Sequence, residues 1–140
     1  HRSSNYTFDV ERFTSFDGKT GPYLLYGAVR MKSILRETTS RGLKAGPIVA
    51  ADREQERNLM LQLVRLPEVI ERTAEHRAPN HLAEYAYELV ADFSRFYEAC
   101  HILNEENAAR QASWIHLVET ALAELTLLLS LLGIDVPERM

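Results

Sequence analysis

The stretch TGPYLLYGAVRMKSILRE, residues 20–37, reads as a helix with a firm start. Thr20 or Gly21 supplies the N-cap, and Pro22 sits in the first turn, where a missing N–H costs nothing. Turned at about 100° per residue, the stretch places Leu24, Gly27, Ala28, Met31, Ile34 and Leu35 on one broad apolar face, with Tyr23 at its border. Tyr26, Arg30, Ser33 and Glu37 fall together on the opposite side, flanked by Val29 and Arg36. An aromatic ring among guanidinium groups on the wet side of a helix has two readings. It is a stacking surface for an unpaired nucleobase with arginines for phosphate, or it is an ordinary exposed tyrosine with an arginine lying across it.

Working outward, the first helix should run from about Pro22 to Arg41 and stop at Gly42. Before it, residues 1–16 show no sustained period and Asp17-Gly18-Lys19 marks a turn, so residues 1–19 read as a lead-in segment. After it, Gly42 to Ala50 is a loop. A second helix opens on Asp52 and Gln55 as a capping box and carries a Leu59, Leu63, Leu66 stripe. Pro67 restarts the chain as a short third helix, with Val69, Ile70, Thr73 and Ala74 inward. Pro79-Asn80 opens a fourth, strongly amphipathic helix in which Leu82, Ala86, Leu89, Val90, Phe93, Phe96, Tyr97 and Cys100 share a face. Following a loop at Leu103 to Glu106, a long fifth helix extends to Leu132 and is closed by Gly133. Its core face runs through Ile115, Val118, Leu122, Leu125 and Leu129, while Leu127 and Leu131 lie on the far side. With no strand pattern, repeat or heptad run, the fold class is all-α, a bundle of about five helices forming one domain over residues 1–140.

The totals narrow the function. A chain of 140 residues is long enough to bury about two thirds of its unfolded surface without a metal or disulfide. The single cysteine, Cys100, excludes a disulfide framework and a thiolate metal site and fits a reducing, cytoplasmic setting. The run LTLLLSLLGI from Leu125 to Ile134 falls short of the roughly 20 residues of a membrane span, so a soluble protein without a membrane partner is expected. A start at His1 with no basic-then-apolar leader reads as a piece of something longer. Net charge is −4, yet it is unevenly spread. Residues 1–46 hold eight Lys/Arg against four acids, and residues 47–140 hold eight against sixteen. The basic third contains the Tyr26 helix, which points to a localised site for an anionic partner.

Other chemistry finds little support. Glu98-Ala-Cys-His101 matches one arm of a di-metal bundle, but Ser113 stands where the second arm would need an acid before His116; no metal site is expected. Cys100 falls on an apolar face, where a free thiol packs as a small core residue. His76, His81 and His116 share no constellation, there is no glycine-rich phosphate loop, and Arg30-Met31-Lys32-Ser33 lies inside an amphipathic helix with Met31 buried. No catalytic residue is expected. A rival to RNA binding is a helical docking domain for protein, motivated by Leu127 and Leu131.

Beyond pattern, TGPYLLYGAVRMKSILR resembles the TGPYLQYAHAR(I/M)-SILRK block of class I arginyl-tRNA synthetases, and LLGIDVPERM, ending at Met140, resembles that family's C-terminus. The stretch from Leu66 to Leu103, with the Phe-x-x-Phe-Tyr step at Phe93 to Tyr97, and the lead-in YTFDVERFTSFDGKTGP are similar to the same family. The likeness covers essentially all 140 residues. It departs at Leu25, where the family usually has Gln, and at Ala28, where it usually has His.

The resemblance implies the all-helical C-terminal anticodon-binding domain, of the DALR type. It places Tyr26 as the ring facing the anticodon loop, Arg30 and Arg36 near RNA, and Tyr97 with Met140 around an extruded base. The implied partners are arginine tRNA, not DNA, and the catalytic domain of the parent. That domain would carry the HIGH signature missing here and would use ATP and magnesium to join arginine to its tRNA. Tyr97 has its own rationale at the edge of an apolar face, where its ring can pack while its hydroxyl reaches a polar partner.

Overall fold

The computed structural model describes residues 9–14 and 20–140, without the side chains of Arg12 and Phe13. Its elements are α1 (Val10–Thr14), α2 (Gly21–Ser40), α3 (Glu54–Leu63), α4 (Leu66–His76), α5 (Asn80–Ala99), a single 3-10 turn (Ile102–Asn104) and α6 (Ala108–Leu131). The five helices from α2 onward match the expected bundle, and no strand occurs among the described residues. Inside the lead-in the short α1 lies against α2; the rest of that segment, with the Asp17-Gly18-Lys19 turn, is outside the described residues.

Local signals set the helix ends. Thr20 caps α2 by accepting the Tyr23 N–H at 3.3 Å. At its far end Gly42 takes φ +71°, which lets the Leu43 N–H reach the Thr38 carbonyl at 2.9 Å in a left-handed cap. Gly133 at φ +75° repeats the device for α6, with the Ile134 N–H on the Leu129 carbonyl at 2.8 Å.

The α3 start departs from expectation. Arg53, not Asp52, occupies the N-cap position and offers no side-chain cap. Glu56, three residues after the N-cap, instead reaches back to accept the Asp52 N–H at 3.0 Å, a bond like the return half of a capping box but one residue earlier. Glu56 is fully buried, and the Arg110 guanidinium at 3.4 Å balances it. Helix α4 is also shallower than its stripe implies. None of its residues is buried; Val69, Ile70 and Thr73 are half-buried and Ala74 faces outward, because α4 lies mainly against α5 at the margin of the bundle.

Two helices organise the interior: α5 packs on α2, α3, α4 and α6, and α6 on α2, α3 and α5. The core holds Met31, Leu59, Leu89, Phe93, Phe96, Trp114, Leu125 and Leu128, all fully buried. Phe96 meets Trp114 edge to face, with centroids 6.2 Å apart, an arrangement favoured by the ring quadrupoles. By length and composition α6 is apolar enough to cross a membrane, over a wider span than the Leu125–Ile134 run suggests. In the bundle its buried stripe, from Ser113 to Leu129, faces the other helices. Leu127 and Leu131 stand outside it, 43% and 54% exposed.

Candidate nucleic-acid interface

Residues from α2, from the end of α5 and from the 3-10 turn line a groove. One cavity of about 360 Å³ is lined by Arg30, Tyr97, Glu98, His101, Leu103 and Asn104 among others. A second, of about 470 Å³, is lined by Ser33, Arg36, Glu37, Tyr97 and Leu103 among others. Tyr97 and Leu103 belong to both, so the two read as neighbouring parts of one trough. Each is within the ~300–1,000 Å³ typical of small-molecule sites.

Tyr97 is the hinge of this geometry. Its ring stacks on the buried Phe93 one turn earlier, with centroids 6.2 Å apart and planes at 23°. Its other neighbour is the Arg30 guanidinium, 4.5 Å from the ring centroid. Phe93, Tyr97 and Arg30 therefore form a graded ladder from the core to the trough. Such a cation–π contact leaves the guanidinium fully charged and holds its plane in place. Among the described residues Arg30 forms no ion pair, so its N–H groups remain available to a ligand. The polar partner that Tyr97 has among the described residues is a cation on its face. Arg30 serves Tyr97, although the wheel of α2 alone groups it with Tyr26.

The wall opposite α2 is held by its own contacts. An Arg53 Nη1 donates to the Ala99 carbonyl at the end of α5, and Gln111 Nε2 donates to the Ile102 carbonyl at 2.9 Å. The first bond occupies a carbonyl that the end of α5 leaves over, and the second holds the turn bearing Leu103 and Asn104. The sequence offered His101 only as one arm of a metal site, and it gave no sign of Asn104 in the trough. The one signal was the end of the helical period at Cys100, after which both lie.

The other residues singled out from sequence are placed as follows. Tyr26 is 52% exposed one helical turn before Arg30, and it lines neither cavity. Arg36 lines the second cavity and also donates to the Glu138 carbonyl at 3.3 Å. Met140 is exposed, two residues beyond that contact. Leu25 is half-buried on the side of α2 and Ala28 is fully buried. The structure thus joins Arg30 to Tyr97 and Arg36 to the C-terminal segment, with Tyr26 further along the same helix. Glu98 and His101 both line the first cavity, whereas Cys100 between them is buried. No group of three or more His, Cys, Asp or Glu side chains suited to a metal occurs among the described residues.

An all-helical bundle with a trough lined by arginines and an aromatic ring is the class of protein that these features define. Residues 24–140 match the family model of the DALR anticodon binding domain, and the chain belongs to that family. It is 47% identical over its whole length to an arginine–tRNA ligase of Maricaulis maris, of which it covers 24%. Among solved structures it is similar to the Thermus thermophilus arginyl-tRNA synthetase, with 33% identity and a TM-score of 0.74 over 90% of this chain and 22% of that one. The Plasmodium falciparum arginyl-tRNA synthetase gives 28% identity and a TM-score of 0.83 over 100% of this chain and 25% of that one. The chain therefore spans about a quarter of the length of the relatives it matches.

Proposed function

We propose that this chain is the anticodon-recognition part of an arginine–tRNA ligase of the cytoplasm, which binds the anticodon loop of arginine tRNA. The observation that carries the reading is the Phe93–Tyr97–Arg30 ladder. Its outer layer is a guanidinium plane on which an extruded base stacks while the unused N–H groups meet base edge or phosphate. Tyr26, exposed one turn away, offers a second stacking face for a neighbouring base, worth ~1–3 kcal/mol for each base stacked. Arg36 supplies a phosphate contact at the trough's edge, and Met140 closes it with apolar surface. Activation of arginine with ATP and magnesium, and its transfer to the tRNA, belong to a catalytic domain in the parent protein. The exposed Leu127 and Leu131 favour a second role beside the first, as a docking face for that domain.

The test is binding of fluorescent arginine tRNA at fixed salt by the wild-type chain and by Tyr26→Ala, Arg30→Ala, Arg36→Ala and Tyr97→Ala. Each variant should weaken binding roughly tenfold, the equivalent of about 1.4 kcal/mol. Wild-type affinity in all four would remove the trough from the RNA site. Indifference of the wild-type chain to the tRNA species would favour a docking domain without RNA specificity.

A further inference from the structure

Beyond Gly133 the chain has no helix or strand to fix it, yet it returns to α2. Ile134 and Val136 pack against the core as partly buried residues. Next, Lys32 Nζ donates to the Pro137 carbonyl at 3.3 Å and to Glu138 Oε1 at 2.6 Å, and Arg36 Nη1 donates to the Glu138 carbonyl at 3.3 Å. Lys32 and Arg36 are four residues apart and share one face of α2. Three bonds therefore clasp two consecutive residues of the tail to the helix that forms one wall of the trough.

We propose that Glu138 is a positioning residue for RNA recognition, its carboxylate clasping Lys32 so that the tail is laid along α2 and Arg36 is held at the trough's edge. The proposal rests on the reading of the trough as the anticodon site.

Physical chemistry separates this role from simple stabilisation. The Glu138 side chain is 83% exposed, and ion pairs so open to solvent add little to folding stability. What such a contact does supply is geometry for groups that lack secondary structure. Its partner Lys32 is mostly covered, 19% exposed, so this lysine serves the tail rather than a ligand. Arg36 donates one N–H to the Glu138 carbonyl and makes no ion pair among the described residues, although its charge also helps lower the Glu138 carboxyl, so most of its five donors remain for phosphate. Lys32 also holds the Glu138 carboxyl below its ordinary range, first through the hydrogen bond and then through its charge.

The test uses the 140-residue chain with two RNAs, the arginine tRNA anticodon stem-loop and the same stem-loop with its anticodon changed. The variants are Glu138→Gln, Lys32→Glu and the exchange Lys32→Glu/Glu138→Lys, with Tyr97→Ala as the reference for the trough. Glu138→Gln should lose about tenfold in affinity for the arginine loop, the equivalent of one charge-assisted hydrogen bond. It should keep its affinity for the changed loop within about twofold and its thermal midpoint within about 2 °C. Lys32→Glu should lose discrimination, and the exchange should restore most of it.

A Glu138→Gln chain that binds both RNAs more tightly by the same factor would make Glu138 a mere mask for Lys32. A chain with unchanged discrimination would leave it without a role. Either result overturns the clasp. If Tyr97→Ala still discriminates like wild type, the trough reading fails and the clasp with it. If Tyr97→Ala loses discrimination while Glu138→Gln keeps it, the clasp alone is wrong.

Discussion

Cys100 ends α5 beside the trough with its side chain fully buried. Burial pushes its thiol up to about 11; Arg53 and Arg110 oppose that rise, while Glu56 and Glu105 add to it. At pH 8 a thiol at 11 holds about a hundredfold less thiolate than one at 9, so the native chain should resist alkylation that the urea-unfolded chain undergoes readily. The same shift gives a pH effect with a definite sign. Because the folded value lies above the unfolded 9.0, the native chain keeps a proton that the unfolded chain releases. Stability is whole below about pH 9 and falls as pH rises to about 11, by at most ~1.4 kcal/mol per pH unit from this group. Urea midpoints of wild type and Cys100→Ala at pH 8 and pH 10 isolate it, since only wild type carries the extra decline. The burial of Cys100 was legible from helical period alone. The partner of Arg30 was not, because a wheel shows one helix and the angle at which α2 meets α5 decides which ring the guanidinium covers.

At the level of elements, Gly27 sets how closely α2 meets α5. A Cβ built there would stand 2.7 Å from Val90 Cγ1 and 3.0 Å from Cγ2, so α2 and α5 approach as closely as a bare Cα permits. Valine in a helix has one strongly preferred rotamer, so Val90 cannot turn aside cheaply. Gly27→Ala should gain up to ~1 kcal/mol of helix propensity and lose ~1–3 kcal/mol to overpacking. The expected net loss is up to about 2 kcal/mol once the propensity gain is taken off, read as a lowered urea midpoint. The α2–α5 seam also carries the Arg30–Tyr97 contact, so RNA affinity should fall in the same variant. Ala28→Gly, on the same buried face, would lose stability without prying the helices apart and provides the comparison. The sequence placed Gly27 inward because the apolar period of α2 passes through it. It could not reveal that the space is filled by Val90, sixty-three positions on. The shallow seat of α4 escaped for a related reason: an apolar stripe records which side faces inward but not how much of the bundle covers it.

Across the whole molecule, charge separates the trough from the body. The chain is −4 overall, but residues 47–140 alone carry eight Lys/Arg against sixteen acids. An acidic body repels nucleic acid that approaches anywhere else, so the long-range field favours arrival at α2. On α2 itself Lys32 is compensated by Glu138 and Arg41 by Glu37 at 2.7 Å. Arg30 and Arg36 remain as the cations of that helix that form no ion pair among the described residues, which bounds the number of phosphates the trough can neutralise. Each phosphate bound on a single strand contributes about −0.7 to the slope of log K against log salt, so two give about −1.4. Raising salt from about 50 to 200 mM should therefore weaken binding of the arginine stem-loop about sevenfold. Arg30→Ala and Arg36→Ala should each flatten the slope by about 0.7, whereas Tyr97→Ala should lower affinity and leave the slope unchanged, since stacking releases no counterions. A wild-type slope near that of six phosphates would mean the RNA is spread over cations outside the trough. If Arg30→Ala and Arg36→Ala both left the slope as steep as wild type, phosphate binding would lie elsewhere on the chain.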